Sequence, residues 1–319
     1  MAQPLEEDQL RTDLERAERR IAALRELAAT RKLRYERAEA ELERLRRSWP
    51  MRTAELARRA IGRSEARCFC LFIGYPRSGH SLLGSLLDAH PDVAIAHGTN
   101  VLRLVEEGEV PADGLIRSLV ESAADDAERA GGRRATGYSY AVPGQWQGQV
   151  RTLRVVGAKA GEKATLRIGR DAGVLRELRR LVGMPVRLVH VTRNPFDMVA
   201  RMSLITKGGK PERTIAGATD FTARLARINA RTIADRKREV ITVRHESFVR
   251  DPRAELGRIA AFLRIEPEET WLDACASLVF ARPQQARELV QWTKRERDAV
   301  EQLIASHDFF EGYSWTSDE

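Results

Sequence analysis

The chain has 319 residues, with 54 Lys and Arg against 46 Asp and Glu, a formal net charge of +8, 43% hydrophobic and 31% charged residues. That length allows a sizeable core and one large domain with an appendage rather than two equal domains, and the positive balance favours anionic partners such as nucleotides or sulfated and phosphorylated glycans. Only 6% of residues are aromatic, with no basic and aromatic surface for stacking single strands, so nucleic acid is not expected as a partner; nor is there a run of roughly 18 apolar residues for a membrane span.

Residues 8–49 carry a heptad repeat: Leu10, Leu14, Ala17, Ile21, Leu24, Ala28, Arg31, Tyr35, Ala38, Leu42, Leu45 and Trp49 alternate spacings of four and three, with no Gly or Pro before Pro50. This predicts a long helix over residues 1–50 and a homo-oligomeric coiled coil through 8–49; a single helix folded on its own domain is the other reading. The first residues are charged and lack an apolar segment, which does not read as a signal peptide. Residues 51–67 form a basic linker, and the globular domain is expected over 68–319. The three cysteines are Cys68, Cys70 and Cys275. An odd count, with two of them two residues apart on one strand, argues for a reducing compartment and a cytoplasmic location.

From Cys68 an apolar strand runs into Gly74-Tyr-Pro76-Arg77-Ser78-Gly79-His80-Ser81, and then into a helix with Leu82, Leu83, Leu86 and Leu87. Strand, glycine-rich turn and helix make a phosphate-binding layout, in which successive backbone N–H groups and a helix N-terminus face an anion. The spacing Gly74-x4-Gly79-x-Ser81 matches the Walker A pattern except that His80 holds the lysine position and Arg77 supplies a cation inside the loop. Four more buried strands are predicted at Val93–Ala96, Leu153–Ala158, Val186–Thr192 and Val240–Arg244. Helical patterns cover 101–107, 113–130, 172–182, 196–206, 220–238, 252–263, 268–279 and 294–306. The fold class is therefore α/β, a mostly parallel central sheet of about five strands flanked by helices. Residues 131–150 and 207–219 read as surface loops.

A second anion site is predicted where the strand Val186–Thr192 delivers Arg193, followed by Asn194 as N-cap and Pro195 at the first helical position. The alternative for Arg193 is a structural ion pair with Asp197. No other predicted strand ends in Asp. A phosphate loop without lysine or a metal carboxylate suits a ligand with a shorter anionic tail and no metal.

In Pro76-Arg-Ser-Gly-His-Ser81 with Asp88-Ala-His-Pro91, in Arg193-Asn-Pro-Phe-Asp197, and more weakly in Arg244-His-Glu-Ser-Phe-Val-Arg-Asp-Pro252, the chain resembles the sulfotransferases that use 3′-phosphoadenosine 5′-phosphosulfate (PAPS). The resemblance covers about residues 68–315. It implies a P-loop-like nucleotide fold and transfer of a sulfuryl group from PAPS, without metal, to an acceptor hydroxyl of a glycan, lipid, peptide or small metabolite, leaving adenosine 3′,5′-bisphosphate. Pro76, Arg77, Ser78, Gly79, His80 and Ser81 would hold the 5′-phosphosulfate, and Arg193 the 3′-phosphate. Where such families place a serine eight residues after the arginine, this chain has Arg201, with Ser203 two residues on; either is a candidate 3′-phosphate ligand. His97 stands about where related enzymes carry a glutamate base, and a histidine there can take the acceptor proton. Lys159, ending the strand Leu153–Ala158, would stabilise the leaving oxygen, with Arg77 as a further charge at the reacting group. His80 is expected to donate to the phosphosulfate or to point into the fold, and His90 to cap a helix end. Tyr138, Tyr140, Gln145, Trp146 and Gln147 suggest a polyol-binding surface, and Arg282, Arg287 and Trp292 a cover over the nucleotide. Two rivals stand beside this reading: a metal-dependent small-molecule kinase of P-loop type, and a non-catalytic coiled-coil nucleotide-binding scaffold.

Overall fold

The computed structural model describes residues 64–108, 111–130, 140–207, 210–211, 213–279 and 285–317. The heptad segment and nearly all of the basic linker, Tyr138 and Arg282 lie outside them.

Five strands form one parallel sheet: β1 (Ser64–Gly74), β2 (Val93–His97), β3 (Leu153–Gly161), β4 (Val186–Thr192) and β7 (Val240–Arg244), in the order β2-β3-β1-β4-β7. A two-residue hairpin, β5 (Thr206–Lys207) with β6 (Lys210–Pro211), stands apart. The helices are α1 (His80–Asp88), α2 (Val101–Glu107), α3 (Ala112–Ala130), α4 (Glu162–Arg170), α5 (Val174–Val182), α6 (Pro195–Ser203), α7 (Ile215–Asp235), α8 (His245–Arg250), α9 (Pro252–Leu263), α10 (Glu269–Ala276) and α11 (Lys294–Ala305).

The central strand shows why the sheet is covered on both sides. Successive side chains alternate between faces. Phe69, Leu71 and Ile73 pack with residues of α2, α3 and α5, while Cys68, Cys70 and Phe72 pack with α1, α9 and α10. Both faces are apolar, as a parallel sheet under two helical layers requires. Cys68 and Cys70 do share a face, and Cys275 lies in the same cluster. All three are free and buried, and burial pushes the Cys68 and Cys275 thiols up to about 12.

The five expected strands are present. β1 begins at Ser64, four residues before Cys68, with a register irregularity between Ser64 and Cys68. The larger difference follows Lys159. The strand was expected to end at Ala158 with no helix between it and residue 172, but β3 continues to Gly161 and α4 starts at once. Gly161, at φ 53, makes the sharp turn; the left-handed region strains any residue with a Cβ. Part of 207–219 is also helical, since α7 starts at Ile215 with Thr214 as its N-cap.

Candidate active site at the C-terminal sheet edge

In an open parallel sheet, ligands gather at the C-terminal strand edge, and the predicted site residues other than Arg201 and Ser203 lie there. β1 ends at Gly74, where an added Cβ would meet the Val191 carbonyl oxygen at 2.8 Å. The strand end is held from below by Thr165 of α4: its hydroxyl accepts the Gly74 N–H at 3.0 Å and donates to Asn229 Oδ1 at 3.0 Å. The loop then turns through Arg77 at φ 65 and Gly79 at φ 93. Left-handed residues between right-handed ones aim consecutive N–H groups into one concavity, an anion-binding nest. Holding a non-glycine such as Arg77 there costs about 1–2 kcal/mol, a form of strain that concentrates at functional sites. The Arg77 side chain is exposed.

His80 turns away from that concavity. It opens α1, is only 9% exposed, and its Nδ1 lies 3.0 Å from the Tyr75 carbonyl oxygen and 3.3 Å from Ser78 Oγ. Nδ1–H therefore donates to the carbonyl, which has no proton to give. The far edge of the ring packs on Gly161. Burial, then Lys159 and Arg77, push its pKa down to about 3, so the ring is neutral. At the Walker lysine position the side chain braces the loop, leaving only its backbone N–H for an anion.

The neighbouring strands bring up the chemical groups. His97 ends β2 directly opposite Lys159 of β3. Lys159 Nζ donates to Ser81 Oγ at 3.3 Å. Both side chains lean over α1 at Gly84, where an added Cβ would lie 3.2 Å from His97 Cε1 and 3.2 Å from Lys159 Cγ. The His97 N–H donates to Asp126 Oδ2 of α3 at 2.6 Å. Thus Ser81, His97 and Lys159, spread over 79 positions of sequence, form one cluster beside the loop.

On the other side of β1, Arg193 leaves β4 at 8% exposure and donates from Nη1 to the Arg77 carbonyl oxygen at 3.4 Å, so the Arg193 turn adjoins the loop. Asn194 is the N-cap of α6, accepting the Phe196 N–H at 3.0 Å, and Pro195 follows at the first helical position. The Asn194 amide also donates to the Ser314 and Ser317 carbonyls, tying the last described residues to this turn. Asp197 receives both the backbone N–H and the guanidinium of Arg287 at 2.9 Å. Arg287 is 2% exposed and committed to that pair, which corrects the expectation that it covers a ligand. Trp292 packs on Phe196 and Trp315 and donates to the Arg287 carbonyl. Arg201 and Ser203 are the half-buried residues of an otherwise buried α6. They sit in its last turn, with Arg201 about 9 Å along the axis from Pro195, and the Ser203 hydroxyl donates to the Ala200 carbonyl at 2.9 Å.

Sequence reasoning passed over two residues here. His245, at the start of α8, presses on the loop so closely that a Cβ on Gly79 would lie 2.4 Å from its Nδ1. Burial and the Arg193 charge lower its pKa. Glu246 beside it accepts the Asn194 N–H at 2.9 Å and the Tyr313 hydroxyl at 2.5 Å. Both stand in the Arg244–Pro252 motif, which was the available signal. Other expectations fall away from the site. His90 sits between the Glu266 carbonyl at 2.7 Å and the Asp92 N–H at 3.1 Å with its ring edge on Trp271, and Ala89 is the cap residue of α1. Gln147 spends its amide on Val142, Ser85 and Tyr140 backbone groups, and the Trp146 N–H donates to the Ala89 carbonyl at the far end of α1 from the loop. The Gln147 amide is thus committed to backbone groups, while Gln145 donates to the Thr270 carbonyl at 3.4 Å. Among the described residues, no group of three or more His, Cys, Asp or Glu is placed to hold a metal ion.

Residues 178–269 match the model of a family described as Sulfotransferase family. That stretch contains the Arg193 turn and the Arg244–Pro252 motif, and leaves the loop and His97 outside it. No curated protein matches the chain. Among solved structures, it is similar to the sulfotransferase domain from the curacin biosynthetic pathway, at 15% identity and TM-score 0.46 over 76% of this chain and 98% of that one. The sulfotransferase domain of the Synechococcus PCC 7002 olefin synthase follows at 17% identity, TM-score 0.43, and 76% and 95% coverage. Mouse sulfotransferase SULT7A1 complexed with PAP has 13% identity, TM-score 0.41, and 75% and 84% coverage. Through residues 178–269, the chain is similar to the sulfotransferase family.

Proposed function

We propose that the chain is a PAPS-dependent sulfotransferase acting on an acceptor hydroxyl, with the loop, His97, Lys159 and Arg193 as its working parts. The observation that carries this reading is the convergence of Ser81, His97 and Lys159 beside a nest whose other flank is Arg193. The residues fit the co-substrate. The nest and Arg77 suit a phosphosulfate, and Arg193 with the N-terminus of α6 suits the second phosphate. Arg201 or Ser203, in the last turn of the same helix, is the candidate to add to that contact.

In the transfer, the acceptor oxygen forms a bond to sulfur as the bond from sulfur to the bridging phosphate oxygen breaks. His97 takes the acceptor proton. The electron pair leaves on the phosphate oxygen, where the Lys159 ammonium and the N–H groups of Gly79, His80 and Ser81 stabilise the growing charge. His80 and His245, both driven toward the neutral form, surround the loop without adding positive charge.

Calorimetric titration of the purified chain with adenosine 3′,5′-bisphosphate in EDTA tests the donor assignment. Binding is expected, weakened roughly 10- to 100-fold by Arg193→Ala, as for loss of a charge-assisted contact. Binding of ATP with Mg²⁺ and none of the bisphosphate would instead select the kinase reading. Incubating a lysate with labelled PAPS and identifying the sulfated product by mass spectrometry then names the acceptor, and His97→Ala is expected to cut transfer to it by about 10²–10⁴-fold.

A further inference from the structure

The structure assigns Asp126 a role that its position in the sequence does not suggest: it is the positioning residue for His97, fixing the end of β2 through the backbone and supplying the negative charge that sets the proton affinity of the imidazole against Lys159. This rests on the reading of His97 as the base. Asp126 lies on α3, 29 residues from His97, and is 7% exposed. Its Oδ2 accepts the His97 N–H at 2.6 Å and faces the Ser122 hydroxyl at 3.5 Å; Ser122 in turn contacts the Thr99 hydroxyl at 3.2 Å. Both residues flanking Gly98 are thereby tied to one face of α3, and Gly98 itself, at φ 99, has open space around it. A strand end needs no buried carboxylate to satisfy one N–H, since a hydroxyl or a carbonyl suffices. A carboxylate brings a charge as well, and buried charges are costly unless they are used.

The charge has something to balance. Lys159 faces His97 in register from β3. Alone, that ammonium disfavours the imidazolium that forms when the acceptor proton arrives. From α1 come Gly84 and Ser81, neither charged. Asp88 of α1 couples to Asp126, but burial pushes its own pKa up to about 7 while its oxygens accept the Ile95 and Gly148 N–H groups. From α2 the nearest cation, Arg103, is exposed and paired with Glu107. Asp126 is an acid in direct hydrogen-bond contact with His97, on the same helix as Asp125 and Glu128. Covalent geometry keeps its charge within about 8 Å of the imidazole, and at that range a buried charge moves a pKa by about one unit.

The test separates charge from scaffold. Asp126→Asn retains an acceptor oxygen for the His97 N–H and removes the charge, while Asp126→Glu restores the charge. The imidazole Cε1–H resonance of His97, identified by its loss in His97→Gln, is titrated by NMR in the full chain without donor or acceptor. In Asp126→Asn its midpoint should fall by about one pH unit, with recovery in Asp126→Glu, and the acid limb of kcat/KM should move down with it. A midpoint unchanged in Asp126→Asn overturns the proposal, whatever happens to the rate. The resonance needs no substrate, so the two readings fail separately. If the midpoint moves while His97→Ala leaves transfer intact, the base assignment is refuted and the electrostatic coupling stands.

Discussion

Gly84→Ala separates stability from catalysis in this fold. Gly84 is buried in α1, and an added methyl would stand 3.2 Å from His97 Cε1, 3.4 Å from His97 Nε2 and 3.2 Å from Lys159 Cγ. Helix propensity favours Ala over Gly by about 1 kcal/mol. Relieving the contacts asks the His97 ring and the Lys159 stem to move by a few tenths of an ångström, which costs about 0.5–1.5 kcal/mol in off-rotamer strain. The two terms nearly cancel. For a domain of this size, the melting temperature should stay within about 4 °C of the parent. On the proposed mechanism catalysis has no such compensation, because both displaced side chains would act at the reacting atoms, and small misplacements there are expensive. The expected outcome is a fall in kcat/KM of about 10-fold or more, with binding of adenosine 3′,5′-bisphosphate within about 2-fold of the parent. Differential scanning fluorimetry, calorimetry and the transfer assay measure the three quantities. A variant with full activity would refute the placement of His97 and Lys159 at the chemistry, and a melting temperature lower by 10 °C would refute the packing argument.

Two further outcomes follow from buried titratable groups outside the Ser81, His97 and Lys159 cluster. Arg287→Ala removes the guanidinium from the Asp197 carboxylate, which is 1% exposed; breaking one side of such a pair costs about 3–5 kcal/mol, read as a melting temperature lower by roughly 10 °C, and Asp197→Ala in the same chain should recover part of it. A nucleotide-contact role for Arg287 predicts the reverse, lost affinity at unchanged stability. His190 is fully buried and its pKa is pushed down to about 3 by desolvation. The unfolded chain binds that proton below its ordinary value near 6.5 and the folded chain does not, so folding loses about 2 kcal/mol from this residue between pH 6.5 and 5. Urea unfolding at the two pH values should show a smaller loss for His190→Gln than for the parent by that amount, and equal losses would contradict the buried, neutral assignment.

The reach of sequence reasoning tracks the range of the interactions involved. The five strands were legible because each is a short apolar run bounded by turn residues, and because a sheet covered on both faces needs apolar side chains at every position, as Cys68–Ile73 shows. The loop and the Arg193 turn were legible because their glycines, proline and N-cap act on backbone within a few residues. α4 was missed because no helical pattern was read between residues 158 and 172; it buries Ala164, Thr165 and Ile168, and Thr165 bonds to Gly74, a partner 91 residues away. His80 could be read two ways until packing chose the inward one.

The sequence by itself determined the class of fold, the glycine-bounded loop with histidine at the Walker lysine position, and the capped turn at Arg193, since all three are written in local spacing. Tertiary structure alone decided that His97 and Lys159 face one another across paired strands, that Gly84 makes room for both, that Asp126 sits behind the histidine, and that Arg287 belongs to Asp197. Those contacts depend on strand order and register. Both are set by how the two apolar layers pack over the whole chain, and that summed packing leaves no mark at any single position.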